Sequence, residues 1–184
     1  MCPLHNVAGR GVAFGGRTLR TDKKVAKYQN SPESEIYNKR REVYGLYFAK
    51  RAIQQEDYAI LVEGYADVIS MHQSGVENVV ASSGTSLTEE QIRLISRFTT
   101  NITLMFDGDA AGVKAAIRGV DLVIKEGMNV RIVLLPEEHD PDTFARAHTS
   151  EELRAYITEH AEDFLAFKAR LLLGEATNDP LKRS

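Results

Sequence analysis

Residues 58–84 read YAILVEGYADVISMHQSGVENVVASSG, and three pieces within them decide the fold. YAILVEG (58–64) is a short apolar run that halts at an acid and a glycine. ADVISMHQ (66–73) spaces its apolar residues as a helix does, and NVVASSG (78–84) is a second apolar run ending in small residues. The alternation continues outward. TEEQIRLISRF (88–98) opens with Thr88 as N-cap and Gln91 three positions on, a capping-box pattern. NITLMFDGD (101–109) predicts a third strand, and AAGVKAAIRGVDLVIKEG (110–127) a helix stopped by Gly127. NVRIVLLP (129–136) predicts a fourth strand, terminated by Pro136. Strands alternating with helices of this length predict a parallel sheet with covering helices, and near-continuous apolar strands fit burial on both faces. The expected α/β core is 58–136.

The flanks read differently. Residues 4–20 hold short β-type pieces broken by Gly9, Gly11, Gly15 and Gly16, which predicts a hairpin turning near Ala8–Arg10. Residues 21–33 form a polar, basic loop ending near Ser31–Pro32. From Glu42 to Gln54, Val43, Leu46, Tyr47, Ala49 and Ile53 recur at helical spacing. After the core, residues 141–174 carry no strand signal. Thr149 with Glu152 makes another capping box, and Leu153, Ile157, Phe164, Phe167 and Leu171 supply the stripe of a long helix packed on the core. The last ten residues, from Glu175, read as a frayed end.

At 184 residues, 43% hydrophobic and 27% charged, the chain has the length and balance of one globular domain with a helical annex. Its single cysteine, Cys2, excludes an internal disulfide framework and a cysteine-based zinc site, and fits a reducing compartment. No apolar stretch approaches the roughly 20 residues of a membrane-spanning helix. The net charge of −3 hides an asymmetry. Between Arg10 and Arg51 eleven cations face four acids, a balance of +7, which leaves −10 for the remainder. A basic front on an acidic body suits a polyanionic partner and a cation site elsewhere, although a solvated basic face is the plainer reading of composition alone.

In an open parallel sheet, ligands sit beyond the carboxyl ends of the strands. Those ends carry acids here: Glu63 after YAILV, Asp107 and Asp109 after ITLMF, and Asp140 with Asp142 past VRIVLLP. Asp67 follows Glu63 by one helical turn. Carboxylates gathered that closely repel unless neutralised, and a hard divalent cation such as Mg²⁺ does this while keeping waters and taking substrate phosphates. Gly108 and Gly64 give the backbone freedom to curl beside these acids. An isolated Asp-x-Asp is usually a turn; strand-Glu-Gly together with strand-Asp-Gly-Asp is far rarer. Asp140 and Pro141 also read as N-cap and first residue of a helix, compatibly with a metal role. His5, His72, His139, His148 and His160 show no paired ligand spacing. No GxxxxGK[ST] or GxGxxG phosphate loop is present, and Gly15-Gly16 reads as a turn by default or as a close approach to phosphate.

FGGR (14–17), KYQNSPES (27–34), Lys39, YGLYFA (44–49), VEGYADV (62–68), SSGTSLT (82–88), FDGDAAG (106–112) and DPDTF (140–144) occur in this order. Together they resemble the catalytic part of bacterial DnaG-type DNA primases, from about Leu4 to Leu173, with 58–136 similar to the Toprim domain. The resemblance implies a Toprim, Rossmann-like parallel sheet with flanking helices. It divides the chain into part of an N-terminal basic β subdomain (1–56), the Toprim domain (57–138) and the start of a C-terminal helical subdomain (139–184). It implies that Glu63, Asp107 and Asp109 are catalytic metal ligands, with Asp67, Asp140 and Asp142 holding further or exchangeable cations. Arg17, Lys27 and Lys39 match basic positions near the catalytic centre that contact nucleotide or nucleic-acid phosphates, Asn30 is assigned to nucleotide or nucleic-acid binding, and Tyr65 either to stacking there or to packing. The cofactor implied is Mg²⁺, replaceable by Mn²⁺, without zinc in this segment.

The implied function is template-directed synthesis of short RNA primers on single-stranded DNA at replication forks, by attack of a primer 3′-hydroxyl on the α-phosphorus of a ribonucleoside triphosphate. The partners implied are the DNA template, the triphosphates, the RNA primer and the replicative helicase of the primosome, in the cytoplasm at the nucleoid. A zinc ribbon, the remainder of the polymerase domain and a helicase-binding domain are expected outside this segment. Two rivals stay open: a Toprim-type nuclease or topoisomerase-like activity that cleaves phosphodiesters, and a metal-stabilised nucleic-acid-binding module without catalysis.

Overall fold

Strand residues 59–62 are all buried, because a strand covered on both faces has no side to give to water. The computed structural model describes residues 1–17, 28–84, 86–136 and 138–170. An N-terminal antiparallel sheet contains β1 (Cys2–His5), β2 (Gly11–Arg17) and β3 (Tyr28–Asn30), in that order. Then follow α1 (Leu46–Glu56), β4 (Ala59–Val62), α2 (Tyr65–Gln73), β5 (Val79–Ala81), α3 (Glu89–Ile95), β6 (Asn101–Phe106), α4 (Ala110–Lys125), β7 (Asn129–Leu134), α5 (Pro141–Ala147), α6 (Ser150–His160) and β8 (Glu162–Asp163). The second sheet has the order β5-β4-β6-β7-β8, parallel except for β8.

Side chains alternate across this sheet as the two-residue period requires. Ala59, Leu61, Ile102, Leu104 and Ile132 face a core shared with α1, α3 and α4. Ile60, Val62, Met105 and Val133 face the other, shared with α2, α5 and α6. The chain leaves β4 toward β5 on one side and returns to β6 on the other, so the strand order reverses between β4 and β6. At that reversal the flanking loops part and leave a crevice at the carboxyl ends. The parallel sheet with helices on both faces agrees with the sequence reading.

Three expectations need correction. The helix foreseen from Glu42 begins at Leu46. Val43 is buried as its spacing implied, but Tyr44 pairs with Ala81 through reciprocal backbone bonds of 2.9 and 3.0 Å, and Gly45, at φ 82°, turns the chain into the helix. The tail is not one long helix: it breaks at His148, where Thr149 caps α6, and again at Ala161, where Glu162 and Asp163 pair with β7. Helical backbone resumes at 164–170, and Phe167 is buried in the core. Gly15-Gly16 is not a turn. It lies within β2, where a Cβ on Gly15 would stand 2.5 Å from Cζ of Tyr65, so the bare backbone admits the ring.

Candidate active site

A cavity of about 540 Å³ opens at the crevice between β4 and β6, and Glu63, Asp67, Asp107 and Asp140 all line it. Glu63 and Asp107 are the first residues past the two strands, exposed at adjacent strand ends. The other acids sit in the first turns of helices. Asp67 accepts from the Gly64 N–H at 2.8 Å. Asp109 caps α4, accepting from the Gly112 N–H at 2.7 Å, and Asp140 caps α5, accepting from the Thr143 N–H at 2.8 Å. The positive ends of α2, α4 and α5 therefore meet acidic side chains. Each cap bond occupies one lone-pair site of a carboxylate that has about four, so capping and metal binding are compatible.

Electrostatic crowding is plainest at Asp67. Burial above all, and then the charges of Asp140, Asp107 and Asp142, push its carboxyl up to about 7, against the downward pull of the Gly64 N–H. Among the described residues no three carboxylate, imidazole or thiol groups stand close enough to cage an ion alone. The donors are hard oxygens around an open cavity. They fit a cation held by one or two carboxylates, its shell completed by water and substrate phosphate.

The remaining predicted residues divide. Asp109 and Asp142 are not among the cavity-lining residues; Asp142 is 5% exposed, accepts from the Ser70 hydroxyl and pairs with Arg146 at 2.7 Å. Tyr65 is 2% exposed, its ring lies edge-on to Tyr44 with centroids 4.8 Å apart, and its hydroxyl donates to Asn30 Oδ1. The Tyr65 ring is thus packed between the two sheets, and the residue also lines the cavity. Asn30 in turn donates to the Ser83 carbonyl at 2.9 Å, tying the N-terminal sheet to the loop after β5. Arg17 ends β2, opposite Tyr28, and Lys27 lies outside the described residues.

Lys39 is exposed and its backbone is fixed by a residue that sequence reasoning saw only as a cap. Gln91 is fully buried, and its amide nitrogen reaches the carbonyls of Glu42, Lys39 and Ser82 at 2.8, 3.2 and 3.2 Å. Thr88 accepts the Gln91 N–H and donates to the Arg40 carbonyl at 2.6 Å. Ser82 lines the cavity, so these bonds hold the basic segment 39–41 against its wall. The capping-box spacing revealed the helix start, but only the fold shows what the buried amide holds.

A parallel α/β sheet with acids at its reversal point is the architecture of the Toprim-like proteins, whose family model matches residues 60–145. Residues 1–50 match the model for the N-terminal domain of the DNA primase catalytic core. The chain belongs to the DnaG-type DNA primases, as a segment of their catalytic core. It is 44% identical over 168 residues to the DNA primase of Halalkalibacterium halodurans, covering 91% of this chain and 28% of that protein. With the DNA primase of Aquifex aeolicus it shares 42% over 179 residues, covering 96% and 36%. A solved DNA primase domain from Pseudomonas aeruginosa superposes with a TM-score of 0.86 at 41% identity, covering 98% of this chain and 56% of that one. A DnaG primase catalytic domain bound to single-stranded DNA gives 0.82 at 37%, covering 98% and 59%. The chain thus spans about a third of the length of these curated relatives. No helix among the described residues is long and apolar enough to cross a membrane.

Proposed function

We propose that this chain is the Toprim-bearing part of a primase that makes short RNA primers on single-stranded DNA, as a DNA-directed RNA polymerase of the replication fork. The observation that carries the reading is the convergence of Glu63 and Asp107 on one cavity at the sheet's reversal point, with Asp67 and Asp140 beside them and a basic segment pinned to the wall. Its boundaries follow the elements: 1–56 a basic β subdomain, 57–138 the Toprim domain, 139–184 the start of a helical subdomain. Similarity to a primase domain described as bound to single-stranded DNA supports the choice of template.

Glu63, Asp107 and Asp109 are assigned as the acids of the reaction, holding Mg²⁺ or Mn²⁺, with Asp67, Asp140 and Asp142 adjusting the charge around it. The bound cation supplies Lewis-acid stabilisation of the oxygens that gain charge as the phosphodiester forms and pyrophosphate leaves. The chain's own groups do the rest. The carboxylates at the strand ends fix the place where a phosphate can be neutralised. Arg17, Lys27 and Lys39 attract the polyanion, and Asn30 with Tyr65 fixes the distance between the basic sheet and the acids. Ribonucleoside triphosphates, the growing RNA and, through parts outside this segment, a helicase are its partners, in the cytoplasm at the nucleoid.

The test is primer synthesis on single-stranded DNA by the whole protein carrying Glu63→Gln. Loss of about 10²-fold or more with an unchanged melting temperature is expected, the size seen when one preorganised charge-stabilising group is removed. Unchanged synthesis would remove Glu63 from the mechanism, and Mg²⁺-dependent nicking of labelled DNA without nucleotide incorporation would favour cleavage.

A further inference from the structure

The cavity does not end at its acids. It continues along one face of α4, where Ala115, Arg118, Gly119 and Leu122 form the wall. Their spacing of three, four and seven residues puts all four on one side of the helix. The neighbouring face, with Ala116, Val120 and Val123, is buried in the sheet core. A Cβ on Gly119 would lie 3.0 Å from Leu104 Cδ1 and 3.8 Å from Leu87 Cδ2, so the helix packs closely on β6 here, and Leu87 lines the same cavity. Arg118 is the only charged residue among the four.

Of the seven described arginines past Asp57, four are ion-paired and Arg97, Arg118 and Arg131 are not; of these three only Arg118 lines the cavity. Arg93 pairs with Glu126 at 2.7 Å, Arg146 with Asp142, Arg154 with Glu56 at 3.0 Å and Arg170 with Glu162 at 3.1 Å. Arg118 is exposed and makes no hydrogen bond or ion pair among the described residues, although Asp121 stands one turn further along. An exposed guanidinium on the wall of a cavity whose other charged lining residues are acids offers its N–H donors to an anion. Arg118 lies nine residues past Asp109, roughly 13 Å along the helix at 1.5 Å per residue. An anion that engages both the acid rim and Arg118 is therefore extended, a polyphosphate or a sugar–phosphate strand rather than one inorganic phosphate.

We infer that Arg118 is a phosphate-binding residue of this cavity, gripping a phosphate of the polynucleotide strand or of the nucleoside triphosphate whose reacting end lies at Glu63 and Asp107. The assignment rests on the primase reading for the identity of the anion. The planar fork of arginine suits it, since two parallel N–H groups meet two phosphate oxygens.

Binding measurements test it without requiring synthesis. Anisotropy of a labelled single-stranded oligonucleotide and calorimetry of Mg²⁺–ATP are run on the whole chain as wild type, Arg118→Ala and Arg118→Lys, with circular-dichroism melting as the fold control. The alanine variant should weaken one ligand by about tenfold or more, as loss of a charge-assisted bond does, and lysine should restore part of it. If the strand is the source, the slope of log affinity against log salt falls by about 0.7. If the triphosphate is the source, oligonucleotide binding is unchanged and the nucleotide dissociation constant rises. Unchanged affinity for both ligands overturns the inference. Failure of the primase reading shows separately, as Glu63→Gln leaving synthesis intact.

Discussion

Asp67 shows how a single carboxyl group carries the strain of the acid rim. Its folded pKa of about 7 lies above the value of roughly 3.9 for an unfolded aspartate, so the folded chain holds a proton that the unfolded chain has released. The stability this contributes is fully present below about pH 4 and is lost as the pH rises through 7. In EDTA, Asp67→Asn should therefore gain on the wild type in melting temperature as the pH rises from about 4 to about 7 and keep a constant lead above that, and the gap should shrink when Mg²⁺ is added, because a cation favours the charged carboxylate. Parallel melting curves would refute the crowding. Tyr65 makes a second prediction at this scale. Tyr65→Phe keeps the buried ring but removes the donor to Asn30, at a cost of about 1 kcal/mol, or about 2–4 °C for a chain of this size. Because the side chain is enclosed, the affinity for nucleotide should not change, which calorimetry checks.

At the scale of elements, the turn from β6 into α4 is where backbone shape and chemistry meet. Gly112 lies in the first turn of α4, and a Cβ there would collide with the carbonyl oxygen of Asp107. Alanine normally stabilises a helix by about 1 kcal/mol relative to glycine. Here Gly112→Ala should instead destabilise by about 1–3 kcal/mol and lower Mn²⁺ affinity by moving Asp107; a more stable variant with intact Mn²⁺ binding would refute the contact. The same elements show what was legible in the sequence. The strands β4 to β7 and the helices between them were, because each is an apolar run or a 3.6-residue stripe bounded by Gly, Pro or a cap. The strands β3 and β8 were not: Gln29, Asn30, Glu162 and Asp163 are polar, and only partners distant in sequence make them strands. The break at His148 carries no glycine or proline, and although the Thr149–Glu152 capping box marks a helix start there, the apolar stripe was read straight through it. Glu63, Asp107 and Asp140 were found because strand ends are where a parallel sheet presents ligands. Gln91 and Arg118 were missed because their significance lies in which wall they reach, and no local pattern encodes that.

For the whole molecule, the division of charge predicts a division of function. The segment from Arg10 to Arg51 carries +7 and the remainder −10, and the bonds of Gln91, Thr88 and Asn30 press the basic part against the acidic cavity. A polyanion attracted by the first is thus delivered to the second. Phosphate contacts supply affinity with little sequence preference and release counterions, so binding of single-stranded DNA should fall steeply with salt. Lys39→Ala removes one exposed cation whose backbone position is set by Gln91, and should lower the salt slope by about 0.7 while leaving the melting temperature unchanged. Glu63→Gln should do the reverse, leaving the slope unaltered while abolishing synthesis in the whole protein. A binding module without chemistry would respond to Lys39→Ala alone. If instead the acid substitution changed affinity as much as the lysine substitution did, the strand would be gripped at the rim itself and the two charge territories would not have separate work.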